Sequence, residues 1–369
     1  MSNAVPTLED VARLAGVSKS TASRILSAVK DARIPYSSGT KDKVRAAALK
    51  LDYRPSKMAR GLTMARSGII GLVVPTLTDA FFPEVISAIE APLDKAGYSV
   101  ILADSNADSR VEEARIQDLL SWRVDGLIIA PSQSTGEAGL FWDLWRREIP
   151  FVTIDRTFPE TPFCSVTTDD KAGMAMAVDH LVTVGRTRIA WAGGGSPTIS
   201  TTRLRQAGYA AGLIRNGILP VPDYALNLPA SESGGWQAVE RIRALSPSPD
   251  AVICFSDNVA LGVLEACIHY GIRVPDDLAV VGYADLPFAR MLKTPLTTIR
   301  QPHVPLGKSA VELLLKCMEK KGHSERIVLP VEFIVRESTG GIQASGEGFH
   351  HASAQPVAIS RVQDARNLL

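Results

Sequence analysis

Six residues packed into one short stretch carry the chain's most outward-looking chemistry: Ser18, Lys19, Ser20, Thr21, Ser23 and Arg24. Hydroxyls both donate and accept hydrogen bonds, and two cations attract phosphate. On a helix that fits the major groove of DNA, this set can reach base edges and the sugar-phosphate backbone. The same residues would also suit the solvated face of a purely structural hairpin, so the choice rests on their surroundings. Residues 1–66 contain thirteen Lys and Arg against five Asp and Glu, a net of +8, whereas the remaining 303 residues carry 27 against 34, a net of −7. A near-neutral total thus hides a basic module, suited to a polyanion, joined to an acidic body.

The elements that must hold these groups are legible from periodicity. Leu8, Val11, Ala12 and Ala15 fall on one face of a first helix, and Val17, Thr21, Ala22 and Ile25 on one face of a second. Gly16 between them supplies a left-handed turn, Ser18 an N-cap, and Ala12 and Ala22 a close crossing, which together predict a helix-turn-helix. A loop over Ser27–Gly39 follows, and then a third helix capped by Thr40 with Val44, Ala47, Ala48 and Leu51 inward. Beyond Tyr53-Arg54-Pro55-Ser56, the segment KMARGLTMAR reads as a short basic helix. Its composition fits a plain linker, and equally a minor-groove wedge in which Lys57, Arg60 and Arg66 meet backbone phosphate while Leu62 enters between base steps.

With 369 residues and 46% hydrophobic content, the chain has material for two or more domains. No apolar run approaches a membrane span, and MSNAVPTLED lacks the apolar core of a secretory signal, so a cytoplasmic protein with no membrane partner is expected. Cys164, Cys254, Cys267 and Cys317 show neither a metal-binding spacing nor a disulfide framework. His350-His351 lacks companions for a metal, and no metal site or cofactor is expected. Gly193-Gly194-Gly195 does not match a dinucleotide fingerprint, and GxSxG, HExxH and GxxxxGK[ST] are absent. No catalytic residues are assigned.

From Ile69 the pattern becomes alternating strands and helices. Near-continuous apolar strands with helical crossovers predict parallel sheets covered on both faces. Two similar α/β halves are expected, with a break near Phe158–Phe163, a second half beginning at the strand SVTT (165–168), and a final helix packing on the first half with strands on the second. In such folds small molecules bind at the carboxyl ends of strands. That nominates Thr76, Asp79, Phe81, Phe82, Asp155, Arg156, Ser256, Asp257 and Tyr283–Asp285, with Arg203, Arg205 and Trp236 near helix starts. An aromatic with carboxylates and arginine suits a polyol or an organic acid, although each residue could equally be a cap or a structural ion pair.

Over nearly its whole length to about Gly340, the sequence resembles the LacI/GalR family of bacterial transcriptional regulators, through TLEDVARLAGVSKSTASRIL, YRPSKMARGL, IIGLVVPTLTDAFFPEVISAIE, VDGLIIAPS, SDNVALGVLEA, VPDDLAVVGYADLP, PLTTIRQPHVPLGKSAVELLL and VRESTG. The resemblance implies an N-terminal all-α helix-turn-helix domain over 1–54, a hinge helix and linker over 55–67, and a two-lobed α/β periplasmic-binding-protein-like core with parallel sheets over 68–340. Lobe 1 would take about 68–158 plus 292–323 and lobe 2 about 163–288 plus 326–340, with a mobile tail over 341–369. It further implies a homodimer, or a tetramer, that binds a double-stranded operator and a small-molecule effector. By position Lys19, Ser20 and Arg24 would read bases, Thr7, Ser18, Thr21 and Ser23 would contact phosphate, and Leu62 would be the minor-groove leucine, favouring the wedge, in which Lys57 is also a DNA contact. Phe82, Asp155, Arg205, Trp236 and Ser256 would contact the effector, a sugar or sugar acid. Two departures stand out: Ala284 replaces an acidic ligand contact of many members, and the Ser27–Thr40 loop is longer than the common form. A solute-binding protein would instead need an export signal and have no use for a basic helix-turn-helix; an α/β enzyme would need a cofactor fingerprint or catalytic constellation.

Overall fold

The computed structural model describes residues 6–26, 36–54, 66–132 and 138–341. The chain divides into two compact units, Met1–Gly68 and Ile69–Leu369.

In the first unit, α1 (Leu8–Ala15) starts with a reciprocal cap: Thr7 Oγ1 accepts from the Asp10 amide at 3.3 Å, while the Thr7 amide donates to Asp10 Oδ2 at 3.0 Å. It ends where Gly16 takes φ +66°, a conformation a side chain would strain. The second helix, α2 (Lys19–Leu26), is capped by Ser18, whose Oγ accepts from the Thr21 amide at 3.1 Å. The third, α3 (Ser38–Lys50), begins two residues before the expected Thr40. Ser37, in an extended conformation, accepts the Thr40 amide at 3.2 Å and is therefore the cap. Val11, Ala22 and Val44 are wholly buried at the point where the three helices meet, with Ala12, Ala47 and Ala48 around them. Each buried valine contributes roughly 1.5–3 kcal/mol, and small alanines set the close approach. Residues 27–35 of the expected long loop, 55–65 of the expected hinge helix and linker, and 342–369 of the expected tail lie outside the described residues.

The second unit contains two six-stranded sheets. In chain order its elements are β1 (Ile69–Val74), α4 (Phe82–Lys95), β2 (Ser99–Asp104), α5 (Ser109–Ser121), β3 (Gly126–Ile129), α6 (Gly139–Arg146), β4 (Phe151–Ile154) and β5 (Ser165–Thr168). There follow α7 (Asp170–Thr183), β6 (Ile189–Gly194), α8 (Ser200–Arg215), β7 (Ala225–Leu228), α9 (Glu232–Ala244), β8 (Ala251–Cys254), α10 (Asp257–Tyr270) and β9 (Ala279–Ala284). The chain closes with β10 (Thr297–Arg300), α11 (His303–Glu319), β11 (Arg326–Leu329) and β12 (Glu332–Ile334). Sheet order is β11-β5-β4-β3-β1-β2 in the first lobe and β12-β10-β9-β8-β6-β7 in the second. All neighbours are parallel except β12, which runs antiparallel to β10.

Strand membership corrects the expected division in three places. Ser165–Thr168 pairs with β4 and β11, so it closes the first lobe instead of opening the second. Arg326–Leu329 lies beside it in the first sheet, and Thr297–Arg300, expected with lobe 1, joins the second sheet next to β9. Period and composition mark a strand but not its neighbour; pairing is a tertiary choice. The stretch Phe158–Phe163 is likewise no break. Both phenylalanines are buried against Phe141 and Phe151, because aromatic bulk in a loop still has apolar surface to cover. The sequence pattern does not mark β7 or β10 as strands.

The chain consequently passes between lobes three times, after β5, after β10 and after β11. These passages are bonded to one another: the Asp169 amide donates to the Leu329 carbonyl at 2.9 Å, and Gln301 Nε2 donates to Thr168 Oγ1 at 3.2 Å. Helix α11 packs on α4 in the first lobe, as expected for the final helix. Among the described residues no helix is long and apolar enough to cross a membrane.

Candidate nucleic-acid interface and effector cleft

On the first unit, the caps and apolar stripes fix which side chains remain outward. Thr7, Ser18, Lys19, Ser20 and Arg24 are exposed, and Thr21 and Ser23 are half-buried. Ser18 Oγ lies 2.9 Å from Ser20 Oγ and 2.8 Å from Thr21 Oγ1, a hydroxyl cluster at the start of α2 that keeps spare donors and acceptors. Lys19 Nζ pairs with Glu9 Oε2 at 3.6 Å with both side chains well exposed. Such a pair is worth little and exchanges readily for phosphate. A helix N-terminus also favours anions. The face can therefore grip a polyanion without losing any buried contact. Lys57 and Leu62 fall outside the described residues.

In the second unit the two lobes touch across the carboxyl ends of their strands. The Thr157 amide, past β4, donates to Ser200 Oγ at 3.1 Å at the start of α8, and Asn258 Nδ2, past β8, reaches Asp79 Oδ1, past β1, at 3.5 Å. Between these contacts lies a cluster of opposed charges. Arg205 is 5% exposed on α8; its Nε donates to Asp170 Oδ1 at 3.2 Å and its Nη1 to the Phe255 carbonyl at 2.7 Å. The guanidinium lies 3.7 Å over the Tyr283 ring and 4.7 Å over that of Phe255, and the Tyr283 hydroxyl donates to the same Asp170 oxygen at 2.6 Å. Burial opposes the Arg205 charge most strongly, but Asp170, Tyr283 and Asp155 outweigh it and hold the group protonated.

Asp155 follows β4 at φ +62°, a strained angle for a non-glycine residue. Burial pushes its carboxyl up to about 6, against the pull of Arg156 and Arg205. Arg156 Nε stands 3.6 Å from Asp155 Oδ2, and its Nη1 donates to the Pro131 and Ser132 carbonyls at 3.0 and 3.3 Å. Burial also presses the Arg156 charge downward. Arg156 Nε and Asp170 Oδ2 are buried without a hydrogen-bond partner among the described residues, leaving one donor and one acceptor to be met. The arrangement can bind a small molecule rich in hydroxyls, or one with an acidic group, by bidentate hydrogen bonding.

Not every expected residue joins this cluster. Phe82 is 2% exposed inside the first-lobe core, its ring edge-on to Phe81 at 5.1 Å. Ser256 is at the cleft end of β8 but acts as the cap of α10, accepting the Val259 amide at 3.4 Å. Trp236 is not brought to the cleft. Gly235 packs against Val259 and Gly262, which steers the next side chain along α10 toward His269 and Tyr270, the end remote from Ser256. Asp257 accepts Thr298 Oγ1 at 2.6 Å and the Leu286 amide at 2.7 Å, and Asp285 pairs with Arg300 and Arg336 at 2.7 and 2.6 Å, so both are structural. Ala284 is buried in the first-lobe core cluster. Gly194 gives room to the Phe255 ring, which a Cβ there would meet at 2.2 Å; the glycine run is a packing feature of the strand. Asp170, the partner of Arg205, is not among the residues that the sequence pattern nominates. Its signal was two aspartates directly after a strand, obscured because that strand was assigned to the wrong lobe.

Family comparison joins both sites in one chain. Residues 7–56 match the model for bacterial regulatory proteins of the lacI family, and residues 178–339 that for a periplasmic binding protein-like domain. The HTH-type transcriptional repressor PurR of Vibrio campbellii is 32% identical over 333 residues, spanning 90% of this chain and 98% of that protein. The chain belongs to the lacI family of bacterial regulatory proteins. The ribose operon repressor of Haemophilus influenzae is 31% identical over 334 residues, covering 90% of this chain and 98% of that one. Among solved structures, the lac repressor dimer bound to operator and the anti-inducer ONPF superposes with a TM-score of 0.81 at 30% identity, covering 91% of this chain and 99% of that chain. This LacI-family chain is accordingly a transcriptional regulator and not an enzyme.

Proposed function

We propose that the protein is a dimeric, cytoplasmic repressor whose grip on an operator is set by a hydroxyl-rich metabolite, a sugar or sugar acid, bound between the lobes. The observation that carries this reading is that Asp155 belongs to the first lobe and Arg205 to the second, while the Asp170 that holds Arg205 sits directly on a passage between lobes. A ligand bonded to both arginine and aspartate has a binding energy that depends on the angle between lobes, which is the requirement for a ligand to shift a two-state equilibrium. Lys19, Ser20 and Arg24 then read bases, Thr7, Ser18, Thr21 and Ser23 contact phosphate, and Leu62 with Lys57 engages the minor groove between two half-sites. The PurR and ribose operon repressor relatives, and the operator-bound lac repressor structure, support this assignment of partners.

The test has two arms. Full-length protein should retard a fragment carrying its own promoter, and protein lacking residues 1–66 should not; equal retardation would remove the DNA-binding role from the first unit. A thermal-shift screen of the full chain against sugars, sugar acids and nucleobases should find a stabilising ligand, since binding to the folded state raises stability by its concentration relative to Kd. That shift should disappear in Asp155→Ala, and its persistence would move the ligand elsewhere.

A further inference from the structure

Two thiols outside both sites stand in contact. Cys164 immediately precedes β5, Cys317 lies in the last turn of α11, and their sulfurs are 3.2 Å apart. Cys317 Sγ–H donates to Cys164 Sγ, and Cys164 Sγ–H donates to the His323 carbonyl at 3.3 Å. Both side chains point at one spot on the first lobe, where Cys164 is 1% exposed and Cys317 is half-buried. The remaining cysteines form a control within the same molecule. Cys254 and Cys267 are buried in the second-lobe core. Burial pushes both of those thiols up, Cys267 to about 12, and thiols so held are poor nucleophiles.

We propose that Cys164 and Cys317 are a redox-active dithiol, an oxidative modification site that a hydroperoxide converts to a disulfide. One sulfur of the pair attacks a peroxide oxygen as the thiolate, forming an S–O bond as the O–O bond breaks; the departing alkoxide takes a proton from water. The second sulfur, deprotonated, attacks the resulting sulfenic acid, the S–S bond forms, and hydroxide leaves to become water. Two thiols are oxidised by two electrons and the peroxide is reduced to an alcohol and water. The sulfurs need close by only about 1.2 Å to reach a disulfide bond of about 2.05 Å. The hydrogen bond from Cys317 also holds the Cys164 thiol below its ordinary range, with Lys316 adding to the effect, while Cys317 is raised by the same contact. The contact thereby makes the two thiols unequal.

The bridge would join residues 153 apart in sequence and tie β5, which runs into the first passage between lobes, to α11, which leaves the second. A loop of that length is costly to close in the unfolded chain, so the oxidised lobe should be the more stable form. The experiment treats full-length protein with a small molar excess of tert-butyl hydroperoxide, blocks free thiols, and maps peptides by mass spectrometry without reduction. The expected product is a peptide pair joined through Cys164 and Cys317, short of two hydrogens, with Cys254 and Cys267 recovered as free thiols. The thermal midpoint should rise by several degrees and return on adding dithiothreitol. Cys317→Ser and Cys317→Ala should each abolish the oxidant-dependent shift, while Cys254→Ser should retain it. Recovery of Cys164 and Cys317 as separate thiols, over-oxidation of Cys317 alone, or bridging of Cys254 to Cys267 to the same extent would overturn the proposal.

Discussion

Arg24 and Arg205 are the same side chain used under opposite conditions. Arg24 is exposed on a small helical unit whose core, Val11, Ala22 and Val44, contains no charge. Arg205 is sunk among Asp170, Tyr283, Phe255 and the field of Asp155, where each charge is tolerated only because another is present. The first arrangement is inexpensive to alter and sensitive to salt; the second is rigid, and removing one member strands the rest. A surface that must exchange water for phosphate many times needs groups with weak internal partners. A pocket that must select one small molecule needs groups already desolvated and aimed.

The largest effect that would sharpen this contrast is expected from Arg205→Ala. It leaves Asp170, 1% exposed, without its cation and the Phe255 carbonyl without its donor, and should cost about 3–5 kcal/mol in urea unfolding of the second unit. It should also erase the ligand response. A loss within experimental error of zero would show the cluster to be solvated like the Arg24 face.

The next effect is a pH dependence of opposite sign at two carboxylates, one in each unit. Burial raises Asp257 from 3.8 to about 6. Its folded form therefore binds more protons than the unfolded one between those values, so the stabilisation is fully present below about pH 4 and is lost as pH rises through 6. The span is on the order of 3 kcal/mol, and Asp257→Asn should flatten it in urea midpoints taken from pH 4 to 7. In the first unit the hydrogen bonds from Thr7 lower Asp10, so its contribution is instead lost as the medium becomes acid. Changes of the same sign on replacing Asp257 and Asp10 by Asn would break the comparison.

Smaller effects belong to the helix-turn-helix unit and its linker. Arg24→Ala should weaken operator binding by about 1–3 kcal/mol and relax preference at one base position, with the melting of the first unit unchanged. Leu62→Ala should reduce specific binding while leaving the weak affinity for random DNA. Smallest of all, Thr7→Ala removes the α1 cap and should lower the stability of the first unit by about 1 kcal/mol, read from its thermal midpoint.

Local signals were legible where one residue type has one physical consequence. The apolar stripes of α1, α2 and α3, the left-handed Gly16 and the Ser18 cap follow from residue types and spacing alone, as do the parallel strands IIGLVVP and AVICF. Arg205, Asp155 and Asp79 were nominated by their place after strands or near helix starts, and they do converge. The Ser37 cap was missed because three hydroxyls, Ser37, Ser38 and Thr40, compete within four positions and only backbone geometry chooses. Trp236 was misplaced because the position of a residue on a helix does not reveal which neighbour it follows.

The sequence by itself determined the basic reader, its three-helix core and the α/β character of the body, since these depend on charge, period and turn-forming residues within a few positions of one another. Only the tertiary structure decided that β5 and β11 belong to the first lobe and β10 to the second, that Asp170 holds Arg205, and that Cys164 meets Cys317. Those are matters of which strand lies beside which, and a four-residue strand of β-branched residues pairs as well with one edge as with another until packing on both faces settles the choice.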